Sequence, residues 1–148
     1  MSLTELVIRP MQTRDLLEVD RIQQAAPEAS HWNPSDYLGY ASFVAESAGV
    51  VVGFAVARLL PPDELEVLNV ATDPLARRQG VGRTLVQALL NLPGRTVFLE
   101  VRASNTAALS LYAQAGLTAN ERRKNYYPAL GIPTQSREDA VVMKLQKW

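Results

Sequence analysis

Apolar positions change their period several times along this 148-residue chain, and each change marks an element. Leu6 to Arg9 reads as a short strand. From Met11 to Ala26 the apolar spacing lengthens to three and four, predicting a helix that begins near Thr13 and buries Leu16, Leu17, Val19 and Ile22. Pro27 to Tyr40 loses the pattern and is turn-rich, with a short helix expected from Ser35. Phe43 to Glu46 and Val50 to Leu60 read as a hairpin around Ala48-Gly49, its second strand nearly all apolar, and Pro61-Pro62-Asp63 closes it.

The stretch Glu64 to Leu90 is the one around which the others are arranged. A strand carrying Leu65, Val67, Leu68, Val70 and Ala71 turns at Asp73-Pro74 and passes through Arg77-Arg78-Gln79-Gly80-Val81-Gly82. It continues as an amphipathic helix, which Pro93-Gly94 ends. Arg95 to Arg102 is a further strand. Asn105 to Ala115 is a helix presenting Ala108, Leu111, Tyr112 and Ala115 on one face, with Gly116 as its C-cap. Leu117 to Tyr127 and Ala140 to Leu145 form a last strand pair about a loop from Pro128 to Arg137. Hairpins early and late flank a strand-helix-strand core, which predicts an α/β fold with a mixed sheet, helices on both its faces, in one domain over residues 1–148.

Composition removes several kinds of chemistry. Lys and Arg balance Asp and Glu at 15 each, so no global basic field is available for nucleic acid. With no cysteine and a single histidine, His31, disulfides, thiolate metal sites, a cysteine nucleophile and a Ser-His triad are all disfavoured, and no metal is expected. No apolar run approaches the roughly 20 residues of a membrane span, and Glu5 and Arg9 interrupt the first residues, so a cytoplasmic protein is expected. Carboxylates, tyrosines and backbone amides are left to carry chemistry.

The junction at Gly80 is built for an anion. A helix start leaves about four N–H groups without intrahelical partners at a positive dipole end, and two glycines let an anion approach them. Arg77, Arg78 and Arg83 add charge; the expected guest is a phosphate or pyrophosphate. Gly82 is followed by Arg83-Thr84, so the lysine of a Walker A loop is missing. The third glycine of a dinucleotide fingerprint is replaced by Leu85.

Glu100 stands inside the apolar run TVFLEV and shares a face with Phe98, so its carboxylate points into an apolar layer or a cleft. It is either a general base raised by burial or the partner of Arg102 or a loop arginine. Tyr112, on the apolar face of its helix, is core packing or a proton donor. Asn105 caps that helix, which does not exclude contact with a ligand.

The spacing Arg77, Gly80, Gly82 resembles the acyl-coenzyme A loop of the GNAT acetyltransferases. Leu99 to Asn105 with Ala108, Leu111-Tyr112 and Gly116-Leu117, joined to Arg122 to Pro128 and Arg137 to Ala140, resembles the RimI-type branch of that superfamily. The resemblance runs from about Leu6 to Leu145 and implies the GNAT fold, with a mostly antiparallel sheet of six to seven strands. It implies acetyl-CoA as donor and a protein N-terminus as acceptor, as in the bacterial member acting on the N-terminal alanine of a small-subunit ribosomal protein. Position by position, it implies Glu100 as proton acceptor and Tyr112 as proton donor. Val70, Ala71, Thr72, Arg78, Gln79, Gly80, Val81, Gly82, Arg83 and Asn105 would hold acetyl-CoA. The family's central strand is interrupted by a bulge, which would fall at Asn69 to Ala71. Asn69, Tyr126 and Tyr127 would meet the acceptor, the tyrosine pair being open to plain strand packing as well. Trp32, in a longer loop than the bacterial enzyme has, is a substrate wall or a loop anchor. An acetyltransferase of a small-molecule amine and a non-catalytic coenzyme A-binding module are the competing readings.

Overall fold

The computed structural model describes residues 5–26, 32–127 and 137–147. Among these residues seven strands form one sheet in the order β1-β2-β3-β4-β5-β7-β6. They are β1 (Leu6–Pro10), β2 (Ala41–Ser47), β3 (Val50–Leu60), β4 (Glu64–Thr72), β5 (Thr96–Arg102), β6 (Thr118–Tyr127) and β7 (Glu138–Gln146). Among the described residues three α-helices join them: α1 (Leu16–Gln24), α2 (Val81–Leu90) and α3 (Thr106–Gln114). The expected elements are all present to within a few residues, except that the first helix opens with a 3-10 turn at Thr13–Asp15 and the segment from Ser35 is a 3-10 helix, Pro34–Gly39. Pro27 to His31 and Pro128 to Ser136 of the two expected loops lie outside the described residues.

The sheet is antiparallel except where β4 meets β5, joined through α2. Two apolar layers cover its faces. Leu65, Val67, Leu85, Leu89, Leu99 and Tyr112 belong to the layer under α2 and α3, while Val19, Ile22, Val44, Phe54 and Val56 belong to the layer under α1. The expected buried stripe of α1 needs one correction. Leu17 is 85% exposed, because at about 100° per residue it lies on the side of the helix opposite Val19 and Ile22, whereas Gln23, four residues after Val19, is buried on that stripe. Glycine is required at Gly53, where an added Cβ would lie 2.8 Å from Val81 Cγ1 and 3.0 Å from the Ala71 carbonyl, so α2 seats directly on β3.

Two features of β4 open a gap in the middle of the sheet and orient its walls. Asn69 is opposite Val56, but Val67 is opposite Ala57, so Leu68 is an extra residue. This bulge falls just ahead of the expected Asn69 to Ala71. It also reverses the alternation of faces: Val67 packs under α2, Leu68 and Ala71 under α1, and Val70 again under α2. The second feature is the parallel pairing with β5, which covers Glu64 to Glu66 opposite Thr96 to Phe98 and then stops. Beyond it β5 continues its ladder with β7 alone, and the two central strands separate.

Candidate active site

A cavity of about 1000 Å³ opens where β4 and β5 part. Its walls take residues 67–72 of β4, Leu99 to Arg102 of β5, the loop and first turn of α2, and one side of α3. Backbone polarity points into it. Asp73 N–H donates to the Val52 carbonyl at 2.8 Å, and bonded and non-bonded pairs alternate along an antiparallel ladder. Val70 and Thr72 are therefore non-bonded partners of β3, and their amides face the gap that β5 has left.

One end of the cavity is the arginine-glycine loop. Arg78 and Gly80 both take left-handed backbone, with φ of 64° and 82°, on either side of Gln79. Gly80 is the N-cap of α2 and has no side chain with which to occupy the first amides of the helix, in contrast to Asn105, whose Oδ1 accepts from Ala108 N–H at 3.1 Å at the start of α3. At Gly82 a Cβ would meet Leu111 Cδ2 at 3.2 Å, so its absence lets α3 close the loop from the side. Unclaimed amides, a positive dipole end and Arg77, Arg78 and Arg83 on the wall suit a diphosphate. The slot running from there between the strands suits an extended thioester arm.

At the other end the chemistry approaches from both faces of the sheet. Leu99 and Val101 are buried under α2 and α3, so Glu100 between them points to the α1 face. Tyr112 packs in the opposite layer. The cavity touches both because it passes through the sheet. Glu100 thus faces a cleft, not an apolar layer, and its carboxylate is about one-fifth exposed. The ion pair it makes among the described residues is with Arg123. Arg123 Nη1 of β6 lies 3.0 Å from Glu100 Oε1, while Arg102 is bound to Glu138 at 3.3 Å.

The tyrosines differ in setting. Burial pushes the Tyr112 phenol well above its ordinary range, so its O–H keeps its proton at neutral pH. Tyr127 is pushed up to about 12 by burial and then by the charge of Glu100, and the Arg102 guanidinium lies 4.6 Å from its ring centre. Tyr126 is raised chiefly by its interaction with the Glu100 carboxylate, and packs edge-on to Tyr127 at 5.0 Å.

Of the residues singled out from sequence, Asn69, Val70, Ala71, Thr72, Arg78, Gly80, Val81, Gly82, Arg83, Glu100, Asn105, Tyr112 and Tyr127 line this one cavity. Gln79, Trp32 and Tyr126 lie off its wall; Tyr126 touches it through Glu100, and Trp32 is 38% exposed with its carbonyl taken by Gln23 Nε2 at 2.6 Å. Asn69 turns toward α1, where its Nδ2 donates to the Tyr37 hydroxyl at 3.1 Å and to Gln23 Oε1 at 3.3 Å. Gln23, Tyr37 and Arg123 were not among the residues expected from sequence. For Gln23 a signal existed, a polar residue on the apolar stripe of its helix.

Residues 8–117 match the Acetyltransferase (GNAT) family. The chain belongs to that family. Its acetyltransferases use acetyl-CoA, and the glycine loop, the slot and the arginines fit that molecule. The chain is 37% identical over 147 residues to the [Ribosomal protein bS18]-alanine N-acetyltransferase of Escherichia coli K12, covering 93% of this chain and 95% of the relative. The fold is similar to the crystal structure of the ribosomal-protein-S18-alanine N-acetyltransferase from E. coli, with a TM-score of 0.79 and 33% identity over 96% of this chain and 94% of that one. It is also similar to Chaetomium thermophilum Naa20 in complex with a bisubstrate analogue, with a TM-score of 0.83 and 25% identity over 95% and 86% of the two chains.

Proposed function

We propose that this GNAT protein transfers the acetyl group of acetyl-CoA to the α-amino group of a protein N-terminus, with an alanine-initiated ribosomal protein as the natural acceptor. The observation that carries the reading is the cavity through the sheet, with an anion-binding loop at one end and a carboxylate and a protonated phenol on opposite faces at the other. The E. coli relative, named for such an acceptor and matched over nearly its whole length, supports the choice of substrate.

Acetyl-CoA supplies the activated acetyl thioester. An α-amino group with a pKa near 8 is about one-tenth neutral at pH 7, whereas a lysine side chain near 10.4 is neutral in well under a thousandth of molecules. The N-terminal amine therefore needs only one proton acceptor, and Glu100 takes that proton, directly or through water, on the face where the acceptor enters. Val70 N–H, facing the gap, would stabilise the charge that grows on the carbonyl oxygen. Tyr112, on the far face, gives its proton to the departing thiolate. Transfer is direct, because the chain has no thiol to hold the acetyl group between two half-reactions. Tyr126, Tyr127 and Trp32 are assigned to the acceptor.

Incubation with labelled acetyl-CoA and peptides beginning Ala-Arg should label free N-termini and spare the same peptides with blocked N-termini. Equal labelling of both sets would defeat the assignment.

A further inference from the structure

Three buried polar side chains meet on the α1 face beside the bulge. Gln23 of α1, Tyr37 of the 3-10 helix and Asn69 of β4 are 1%, 0% and 6% exposed. Their hydrogen bonds fix one another. The Tyr37 hydroxyl donates to Gln23 Oε1, Asn69 Nδ2 donates to both, and Gln23 Nε2 is then directed at the Trp32 carbonyl, 2.6 Å away. Phe54 supports the Tyr37 ring at a centroid distance of 5.6 Å. Three apolar residues of similar size would fill this space without the cost of desolvating amides, so stability alone does not account for the choice.

What the cluster does specify is register. Asn69 lies on the α1 face because Leu68 before it is left unpaired; were Leu68 paired in regular alternation, Asn69 would share the face of Val67, under α2. The hydrogen bonds to Gln23 and Tyr37 are available on one face only, so they select the bulged arrangement. The bulge sets the next residue, Val70, with its amide facing the gap. From the same amide of Gln23 the network reaches Trp32, at the start of the segment that leads into Pro34–Gly39.

We infer that Gln23, Tyr37 and Asn69 are positioning residues for acetyl transfer, locking the bulge that aims the Val70 amide and tying it to the Trp32 segment on the acceptor side. This rests on the protein being an N-acetyltransferase. None of the three acts on the reacting atoms; they set the amide and the wall in one frame, so that a productive acceptor pose and the oxyanion donor are aligned together.

The test uses the full chain with three substitutions: Tyr37→Phe, which removes one hydroxyl and keeps the ring, Asn69→Ala, and the two combined. Acetyl-CoA affinity by calorimetry should stay within about twofold, because the diphosphate end is remote from the cluster. With an Ala-Arg peptide as acceptor, kcat should fall about tenfold or more in each single variant and the acceptor KM should rise, since a misplacement of about 1 Å can cost up to a hundredfold. The double variant should be no worse than the weaker single, as expected of groups acting as one unit. A lowered Tm with kcat and KM unchanged well below it, or losses that multiply in the double variant, would overturn the inference. If Asn69→Ala does not fold, Asn69→Ser takes its place with the same expectation. A wild-type chain that binds acetyl-CoA and acetylates no peptide removes the transferase reading instead, whereas an active wild type with unimpaired variants removes only the positioning role.

Discussion

Glu100 and Tyr112 reach one cavity from opposite sides of the sheet, and this separation makes their contributions separable by experiment. Under the proposed reaction Glu100→Gln should lower kcat by at least a hundredfold while acetyl-CoA binding by calorimetry is nearly unchanged, the range expected for one lost proton-transfer group. An unaltered kcat would remove the role of base. Tyr112→Phe should depress turnover by about tenfold to a hundredfold; weakened binding with the rate spared would mark Tyr112 as packing only. Arg78→Ala and Arg83→Ala should do the reverse and weaken acetyl-CoA binding, measured as a raised Kd, with kcat at saturation little changed. Glu100 was visible in the chain because a carboxylate breaks the apolar run TVFLEV. Its partner was not, because Arg123 comes onto the face of Glu100 across β7 only through the register shift between Ala119 and Glu121 in β6.

The loop and helix proposed to hold the diphosphate depend on how closely α2 lies against β3. Gly53 makes that approach possible, and Gly53→Ala should cost about 1–3 kcal/mol, because the new methyl meets Val81, Leu85 and a backbone carbonyl that cannot all withdraw. Thermal unfolding monitored by circular dichroism would show the loss, and an unchanged Tm would mean that α2 shifts freely. Strand and helix positions followed from period and turn residues, since β3 and β4 read correctly over their whole length and Gly116, with φ of 103°, ends α3 where expected. The bulge at Leu68 did not follow from period. An extra residue in one strand has no local signature, for it is defined by the pairing of Val67 and Asn69 with a different strand. Leu17 was misplaced for a related reason: a run of adjacent apolar residues does not say which one faces the layer until the helix is docked.

Across the fold, the first strand and first helix are tied by charge. Arg9 binds both carboxylate oxygens of buried Asp15 at 2.8 Å, and Asp15 also accepts from the Gln12 amide at 2.8 Å. The Arg9 hydrogen bonds hold the Asp15 carboxyl below its ordinary value of 3.8 against the opposing effect of burial. A carboxyl lowered by folding stabilises the native state fully above its unfolded pKa, and that stabilisation disappears as pH falls through the folded value. Asp15→Asn should therefore cost about 2 kcal/mol near pH 7, or roughly 5 °C in Tm, and the difference from wild type should vanish in strong acid. A gap that persists at low pH would assign the loss to packing. Elements, their order and the kind of chemistry were legible in the chain, because period, turn residues and the Arg77 to Gly82 spacing are local properties that survive in any correct fold. The parting of β4 from β5, the faces on which Glu100 and Tyr112 stand, the cluster of Gln23, Tyr37 and Asn69, and the pairing of Glu100 with Arg123 were decided by the folded structure. Each is a relation between segments distant in sequence, and no local pattern carries it.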